Sequence, residues 1–292
     1  MSTHPDATTA LAVIVPVRDR LDLLKFAVES VLRQAPQNVQ VIVVDDGSVA
    51  PVENTMFMDE RVRISRTMGV GAAMARNVGI ECAKDAAWVT FLDSDDEAMP
   101  GWIAAILDAQ QSGATLFSCG AEYRWAHGEI GVARVQPLWR GDDAPRGLFL
   151  AGTFATQREL MLEAGGYRPG LRHGENTDLG WRLGGVVRRK GSVVASTDEP
   201  LVAINAVRKN VSPVVLLESA QLVLADPPDL LAENCKEMAD LLAVAGVAAS
   251  RLGRRLTASR YLVRSARRQP LRPKAWGRVI KAATWGWSEL TP

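Results

Sequence analysis

Two runs of almost uninterrupted apolar residues, 39–44 and 88–92, each end on acids: Asp45-Asp46-Gly47-Ser48 after the first and Asp93-Ser94-Asp95-Asp96 after the second. A short apolar run bounded by a polar cluster reads as a strand covered on both faces, the situation of a parallel sheet. Residues 11–17 are a third such run. Residues 22–33, between it and the run at 39–44, carry Leu24, Ala27, Val28, Val31 and Leu32 at the spacing of a helix with one buried face. Strand, helix, strand at this spacing is a right-handed crossover. The chain is therefore expected to be α/β, a mostly parallel sheet with flanking helices. In such sheets ligands bind beyond the carboxyl ends of the strands, where Arg18-Asp19, Asp45-Asp46 and Asp93-Asp95 would converge.

Carboxylates this close repel one another unless a cation sits among them, so Mg²⁺ or Mn²⁺ held by oxygen ligands is one explanation of the second cluster. A solvated acidic turn before a helix near Pro100 is the other. Residues 61–66 read as a shorter strand. The small-residue stretch 69–79 that follows suggests a dinucleotide-binding loop, but Met74 stands at the third glycine position and the turn at 16–20 has no glycine. Its useful residue is Arg76, whose planar fork suits a phosphate or a carboxylate, or else is an ordinary surface side chain. A helix over 101–111 and a strand over 115–123 precede an irregular stretch, 124–146, with Trp125, His127 and Trp139, expected to be a substrate-facing loop. Residues 151–164 return to strand then helix. Glu175 and Asp178 then stand one turn apart at a helix start, where they either answer the helix dipole or serve as a general base and a clamp for a hydroxyl.

Charge is distributed unevenly along the 292 residues, although the net is only +1. From 247 to 281 there are 11 Lys and Arg and no acid. The helices expected here, over 213–225, 229–245, 248–268 and 273–285, end in Trp276, Trp285 and Trp287. Residues 258–276 loosely resemble a tetratricopeptide helix pair. This basic appendage could pack on the rest of the chain, lie on an anionic membrane or bind a protein. Nucleic acid is disfavoured, because no aromatic-interleaved basic sheet is present. Cys82, Cys119 and Cys235 are widely spaced and read as buried thiols of a reducing compartment. The first apolar run stops at Pro16, too short for a signal peptide or a membrane span. The expected location is cytoplasmic, with peripheral contact at the inner face of the membrane through the basic helices.

Six segments taken together, Val13-Ile14-Val15-Pro16-Val17, Val43-Val44-Asp45-Asp46-Gly47-Ser48, Ala75-Arg76-Asn77-x-Gly79, Phe91-Leu92-Asp93-Ser94-Asp95-Asp96, Gly165-Gly166-Tyr167 and Gly174-Glu175-Asn176-x-Asp178-Leu179-x-x-Arg182, resemble in order and spacing the family 2 glycosyltransferases of GT-A fold. The resemblance covers roughly residues 10–210. It implies a catalytic domain over 1–212 with a nucleotide-diphospho-sugar transferase fold, a helical C-terminal extension over 213–292, and transfer of a sugar from a nucleotide-sugar donor to a hydroxyl of a glycan, a lipid-linked acceptor or a small molecule. It further implies donor binding by Pro16, Val17, Asp19, Asp45, Asp46, Arg76, Asp93, Ser94 and Asp95. Asp45 would meet the base, Asp93 and Asp95 the ribose and the metal, and Asp95 is the stronger metal ligand of the two.

Two departures bear on the chemistry. The family usually has Glu-Asp where this chain has Glu175-Asn176, and an amide cannot take a hydroxyl proton. The expected catalytic residues are therefore Asp178 as base and Glu175 as acceptor clamp, with Glu175 and Asn176 binding the acceptor and inversion at the anomeric carbon. A retaining enzyme and an inactive nucleotide-sugar-binding module are the alternatives. Second, where many relatives carry a metal-binding His, this chain has Arg208-Lys209, which could serve the diphosphate as fixed cations and weaken the dependence on metal.

Overall fold

The computed structural model describes residues 9–206 and 210–284, with side chains up to residue 281. Its first half alternates strand and helix: β1 (Thr9–Val17), α1 (Leu21–Leu32), β2 (Val39–Asp45), β3 (Val62–Arg66), α2 (Ala72–Cys82), β4 (Ala86–Phe91), the two-residue β5 (Glu97–Ala98) and α3 (Trp102–Gln111). β1 pairs in parallel with β2 on one side and β4 on the other, and β2 pairs in parallel with β3. Alternate residues of β1 explain its unbroken apolar sequence. Leu11, Val13, Val15 and Val17 join Leu24, Val28 and Val31 of α1 in one cluster, and Ile14 faces the other way, onto α2. Both faces are covered, so a polar residue on either would be buried without a partner.

A Cβ on Gly79 of α2 would stand 2.3 Å from Ile14 Cγ2, so this helix rests on the sheet through a residue that has no side chain. That close approach is the structural content of the glycine in Ala75-Arg76-Asn77-x-Gly79.

The second half of the sheet is mixed. β6 (Leu116–Trp125) forms a hairpin with β7 (Ile130–Ala133), and a small separate ribbon joins β8 (Gln136–Pro137) to β9 (Arg146–Gly147). β10 (Phe154–Gln157) runs antiparallel between β4 and β6 and leads into α4 (Arg158–Glu163) and α5 (Glu175–Lys190). β11 (Val194–Ala206) then pairs in parallel with β6 and antiparallel with β5. The order is β3-β2-β1-β4-β10-β6-β11-β5. Parallel pairing thus holds from β3 to β4 and for β6 with β11, and fails at β10, at the β5 edge and in the β6–β7 hairpin.

Residues 124–146 are more ordered than their sequence suggests. Trp125 stacks on Tyr123 with centroids 5.6 Å apart and lies over Gly131, leaving its ring a packing role in the hairpin. The long strand β11 was not legible. Asp198-Glu199-Pro200 sits inside it, and the register shifts on either side of Pro200, so no alternating pattern survives.

By internal contacts the chain forms two units, Met1–Pro169 with Val186–Arg208, and Gly170–Gly185 with Lys209–Pro292. The second contains α6 (Pro213–Ala225), α7 (Asp229–Glu233), α8 (Cys235–Arg251), α9 (Arg255–Arg268) and α10 (Pro273–Thr284). The expected 229–245 helix is broken at Asn234, whose side-chain oxygen accepts from the backbone N–H of Lys236 and Glu237 and so caps α8. The expected 248–268 helix breaks at Gly253, which takes a left-handed backbone (φ 72°). Leu171 packs with Val223, Leu231, Met238 and Leu242, with Trp181 against them, which groups the start of α5 with the helices that follow residue 209. No described helix is long and apolar enough to cross a membrane. Cys119 is buried, Cys82 is half-buried and Cys235 is exposed, so the expectation of three buried thiols fails at Cys235.

Candidate functional site

The parallel register sets the ends of β1, β2, β3 and β4 side by side. Val17 is opposite Asp45, Asp45 is opposite Arg66, and the backbone N–H of Leu92 donates to Ile14 O at 3.0 Å. Each strand then hands over to a polar loop. Pro16 and Val17 close β1, opposite Val44 and Asp45. In the next loop Asp19 takes the left-handed backbone that Asp tolerates better than most residues (φ 56°). Its N–H donates to Ser48 Oγ at 3.0 Å and its Oδ1 accepts from Val49 N at 2.7 Å, which ties the β1 loop to the β2 loop.

Asp45 and Asp46 are both buried, and each has a separate task. Asp45 accepts from Ser48 N at 2.8 Å, from Val52 N at 3.1 Å and from Arg66 Nη1, while Arg66 Nη2 donates to Ser48 O. Burial works to raise the Asp45 carboxyl, but the Ser48 and Val52 donors and the Arg66 charge outweigh it and hold the group below 3.8. Asp46 accepts from Thr67 Oγ1, from Val70 N at 2.7 Å and from Gly71 N at 2.8 Å, and so moulds the loop that leads into α2. Gly47, which follows them, has φ 74°, and a Cβ there would meet Gly69 N at 2.9 Å.

Beyond β4, each acid of the Asp93-Ser94-Asp95 segment is paired with an arginine from a different element. Arg76 of α2, whose side chain is only 3% exposed, donates to Asp93 Oδ1, and Arg20 from the β1 loop donates to Asp95 Oδ2. Ser94 is buried between them in sequence. Asn205, near the end of β11, donates its side-chain N–H to Asp95 O, and its backbone N–H reaches Asp96 Oδ1 at 2.9 Å. The second oxygens of Asp93 and Asp95 make no hydrogen bond among the described residues. No group of three or more His, Cys, Asp or Glu there forms a cage for a metal ion. Two carboxylates with oxygen to spare do fit Mg²⁺ or Mn²⁺, which commonly takes one or two protein carboxylates and completes its shell with water and substrate phosphates.

Gly165-Gly166-Tyr167 supports this arrangement from behind. Asn77 accepts from Tyr167 N and donates to Tyr167 O, both at 2.8 Å. A Cβ on Gly166 would meet Asn77 Oδ1 at 2.6 Å. The Tyr167 ring lies under the Arg76 guanidinium at 5.2 Å and edge-on to Phe91 at 5.2 Å. Thus Arg76 meets Asp93, Asn77 clasps the Tyr167 backbone and Gly79 seats the helix on Ile14.

Glu175, Asn176 and Asp178 open α5 within the other unit. Glu175 and Asn176 are half-buried, whereas Asp178 is fully buried (0% exposed) and its Oδ2 accepts from Arg182 Nε at 2.9 Å and Nη2 at 2.7 Å. Arg208 and Lys209, and likewise Trp285 and Trp287, lie outside the described residues. Sequence reasoning did not single out Arg20, Arg66 or Asn205 as site residues. No periodicity marks an arginine that reaches across a sheet, and Asn205 was hidden with the rest of β11.

Residues 12–173 match the family model described as glycosyl transferase family 2. The pre-mycofactocin glycosyltransferase of Mycobacterium tuberculosis strain H37Rv is 29% identical over 196 residues, which cover 62% of this chain and 39% of that protein. The chain therefore spans well under half the length of this relative. The structure of S. aureus TarS residues 1–349 in complex with UDP-GlcNAc superposes with a TM-score of 0.63 at 17% identity, over 94% of this chain and 89% of that one. The mannosyltransferase PcManGT from Pyrobaculum calidifontis, in complex with GDP-Man and Mn²⁺, gives 0.53 at 16% identity, over 98% and 90%. At these identities the likenesses show the fold, which is that of the GT-A glycosyltransferases.

Proposed function

The chain belongs to glycosyl transferase family 2, and from that premise we propose that it transfers a sugar from a nucleotide-sugar donor to an acceptor hydroxyl. The observation that carries the reading is the pair of acid–arginine contacts, Arg76 with Asp93 and Arg20 with Asp95, at the ends of adjoining parallel strands. A site that stores both signs of charge suits a ligand that is itself a diphosphate bridged to a cation. Asp45, kept ionised by Ser48, Val52 and Arg66, would accept hydrogen bonds from the donor's base. Arg76 and Arg20 would turn from their carboxylates toward the diphosphate and hold the leaving group. Asp93 and Asp95 would hold Mg²⁺ or Mn²⁺, which when bound would neutralise negative charge on the departing nucleotide.

On the acceptor side we assign the base to Glu175 rather than to Asp178. A general base must come within hydrogen-bond reach of the hydroxyl proton. Asp178 is fully enclosed and occupied by the Arg182 fork. Glu175 is half-exposed, one turn before it at the start of the same helix. Asp178 and Arg182 would then fix the helix that presents Glu175 and Asn176. The acceptor oxygen forms the new bond to the anomeric carbon, the bond from that carbon to the phosphate oxygen breaks on the opposite face, the proton passes to Glu175, and the configuration inverts.

Nucleotide release from a panel of UDP- and GDP-sugars, with and without Mn²⁺, tests the reading, because ligands of both kinds are bound by the structural neighbours. Release is expected with at least one donor, lost in Asp95→Asn and in Glu175→Gln, and retained in Asn176→Ala. An NMR spectrum of the product gives the anomeric configuration. Donor binding with no turnover across a broad acceptor panel would refute the transferase reading, and a retained configuration would refute Glu175 as base.

A further inference from the structure

α9 buries one line of side chains, Ala258, Leu262, Ser265 and Ala266, and Ser265 Oγ donates to Ala239 O of α8 at 2.7 Å. The opposite line, one residue per turn, is Leu256, Arg260, Arg264 and Arg267, all exposed. Guanidinium groups one turn apart on a helix repel. Arg254 and Arg255 stand at the N-terminal end of α9, where the helix dipole disfavours cations and the first turn carries no acid. Asp240 of α8 meets Arg272 at 3.3 Å, and among the described residues Arg260, Arg264 and Arg267 form no ion pair. The helix therefore carries a standing repulsion that an external anion would relieve.

Apolar side chains stand out among these charges. Leu256 is 79% exposed, Leu271 in the turn after α9 is 95% exposed, and Trp276 and Ile280, one turn apart on α10, are 39% and 62% exposed. Trp276 has its indole N–H satisfied by Pro270 O at 3.0 Å, so its polar edge is occupied. Alternating cations and large apolar groups on one pair of helices fit neither a solvated basic face, which gains nothing from the apolar groups, nor a nucleic-acid backbone, which offers them no apolar partner.

We propose that α9, α10 and the turn between them dock on the surface of a bilayer containing anionic lipids. The arginines meet the phosphate headgroups while Leu256, Leu271, Trp276 and Ile280 enter the boundary between headgroups and acyl chains. The contact is peripheral, since no described helix could cross the membrane. It is independent of the transfer chemistry, because none of these residues belongs to the donor or acceptor machinery.

Co-sedimentation of the full chain with vesicles of phosphatidylcholine alone, or mixed with phosphatidylglycerol, tests the proposal. Binding is expected only to the mixed vesicles and is expected to weaken as salt rises. At roughly 1 kcal/mol per basic residue near an anionic surface, the triple variant Arg260→Gln, Arg264→Gln, Arg267→Gln should bind on the order of 100-fold more weakly. Leu271→Ser with Trp276→Ser should also weaken binding while leaving the charge intact, which keeps the test open if the triple variant folds poorly. Equal binding to both vesicle types, binding to neither, or capture by duplex DNA or polyglutamate without any affinity for the mixed vesicles would overturn the proposal.

Discussion

Gly79→Ala poses two effects of opposite sign against each other. In an exposed helix interior this change stabilises by about 1 kcal/mol, because alanine is the better helix former. Here the new methyl would lie 2.3 Å from Ile14 Cγ2, with Ile14 Cγ1 at 3.2 Å and Cβ at 3.3 Å, against an optimum carbon–carbon separation of about 3.5–4.0 Å. Ile14 is fully buried in β1, between two hydrogen-bonded neighbours, so it cannot swing aside. Overpacking of this kind costs roughly 1–3 kcal/mol or more, and at this distance the upper end applies. The steric cost wins, and the variant should be less stable by about 1–2 kcal/mol. At roughly 2–4 °C per kcal/mol for chains approaching this size, Tm should fall by roughly 2–8 °C. Relief should come from shortening the other partner. Ile14→Ala alone is destabilising, by about 2–5 kcal/mol, but Gly79→Ala added to it should cost little or become favourable. The double-mutant coupling should fall within the 0.5–3 kcal/mol seen for residues in contact. Because Arg76 rides on the same helix, the single variant should also raise the donor KM. A Tm that rises in Gly79→Ala, or strict additivity with Ile14→Ala, would refute the account of how α2 is seated.

Two further predictions follow from groups whose protonation the fold sets. The folded Asp45 carboxyl titrates below its ordinary 3.8, so its contribution to stability is complete above that value and is lost as pH falls through the lower folded pKa. Asp45→Asn should therefore melt below the parent at pH 7, with the gap narrowing only below about pH 4; a gap that closes nearer neutrality would refute the role given to Ser48, Val52 and Arg66. Burial, with some help from Glu199, pushes the Cys119 thiol up to about 12 despite a hydrogen bond with the Leu201 backbone, whereas Cys235 is exposed. A thiol reagent at pH 8 should modify Cys235 first and Cys119 only in denaturant, and mass spectrometry of the labelled peptides reads the order.

Much of the first half of the sheet could be read in advance because its signals are local. An apolar run of the right length that ends on acids marks a strand with those acids at its tip, so Asp45, Asp93 and Asp95 could be placed at strand ends without coordinates. The register of β1 with β2 and β4 brings those tips together. Arg76 was noticed for its fork, but its burial against Asp93 and Tyr167 depends on how α2 lies over the sheet. Asp46 was grouped with Asp45 by adjacency. Asp45 ends β2 and Asp46 begins the loop beyond it, and one acid went to the Ser48 turn while the other went to the loop before α2.

The order of strands and helices through α3, the acids at the strand ends and the basic C-terminal helices were fixed by the residue pattern alone, because periodicity and turn chemistry act over a few residues. Which arginine answers which acid, the antiparallel insertion of β10 and the clasp of Asn77 on Tyr167 were decided only by tertiary structure. Those contacts join residues far apart in sequence, and their energy depends on distance and burial, neither of which exists until the chain has folded.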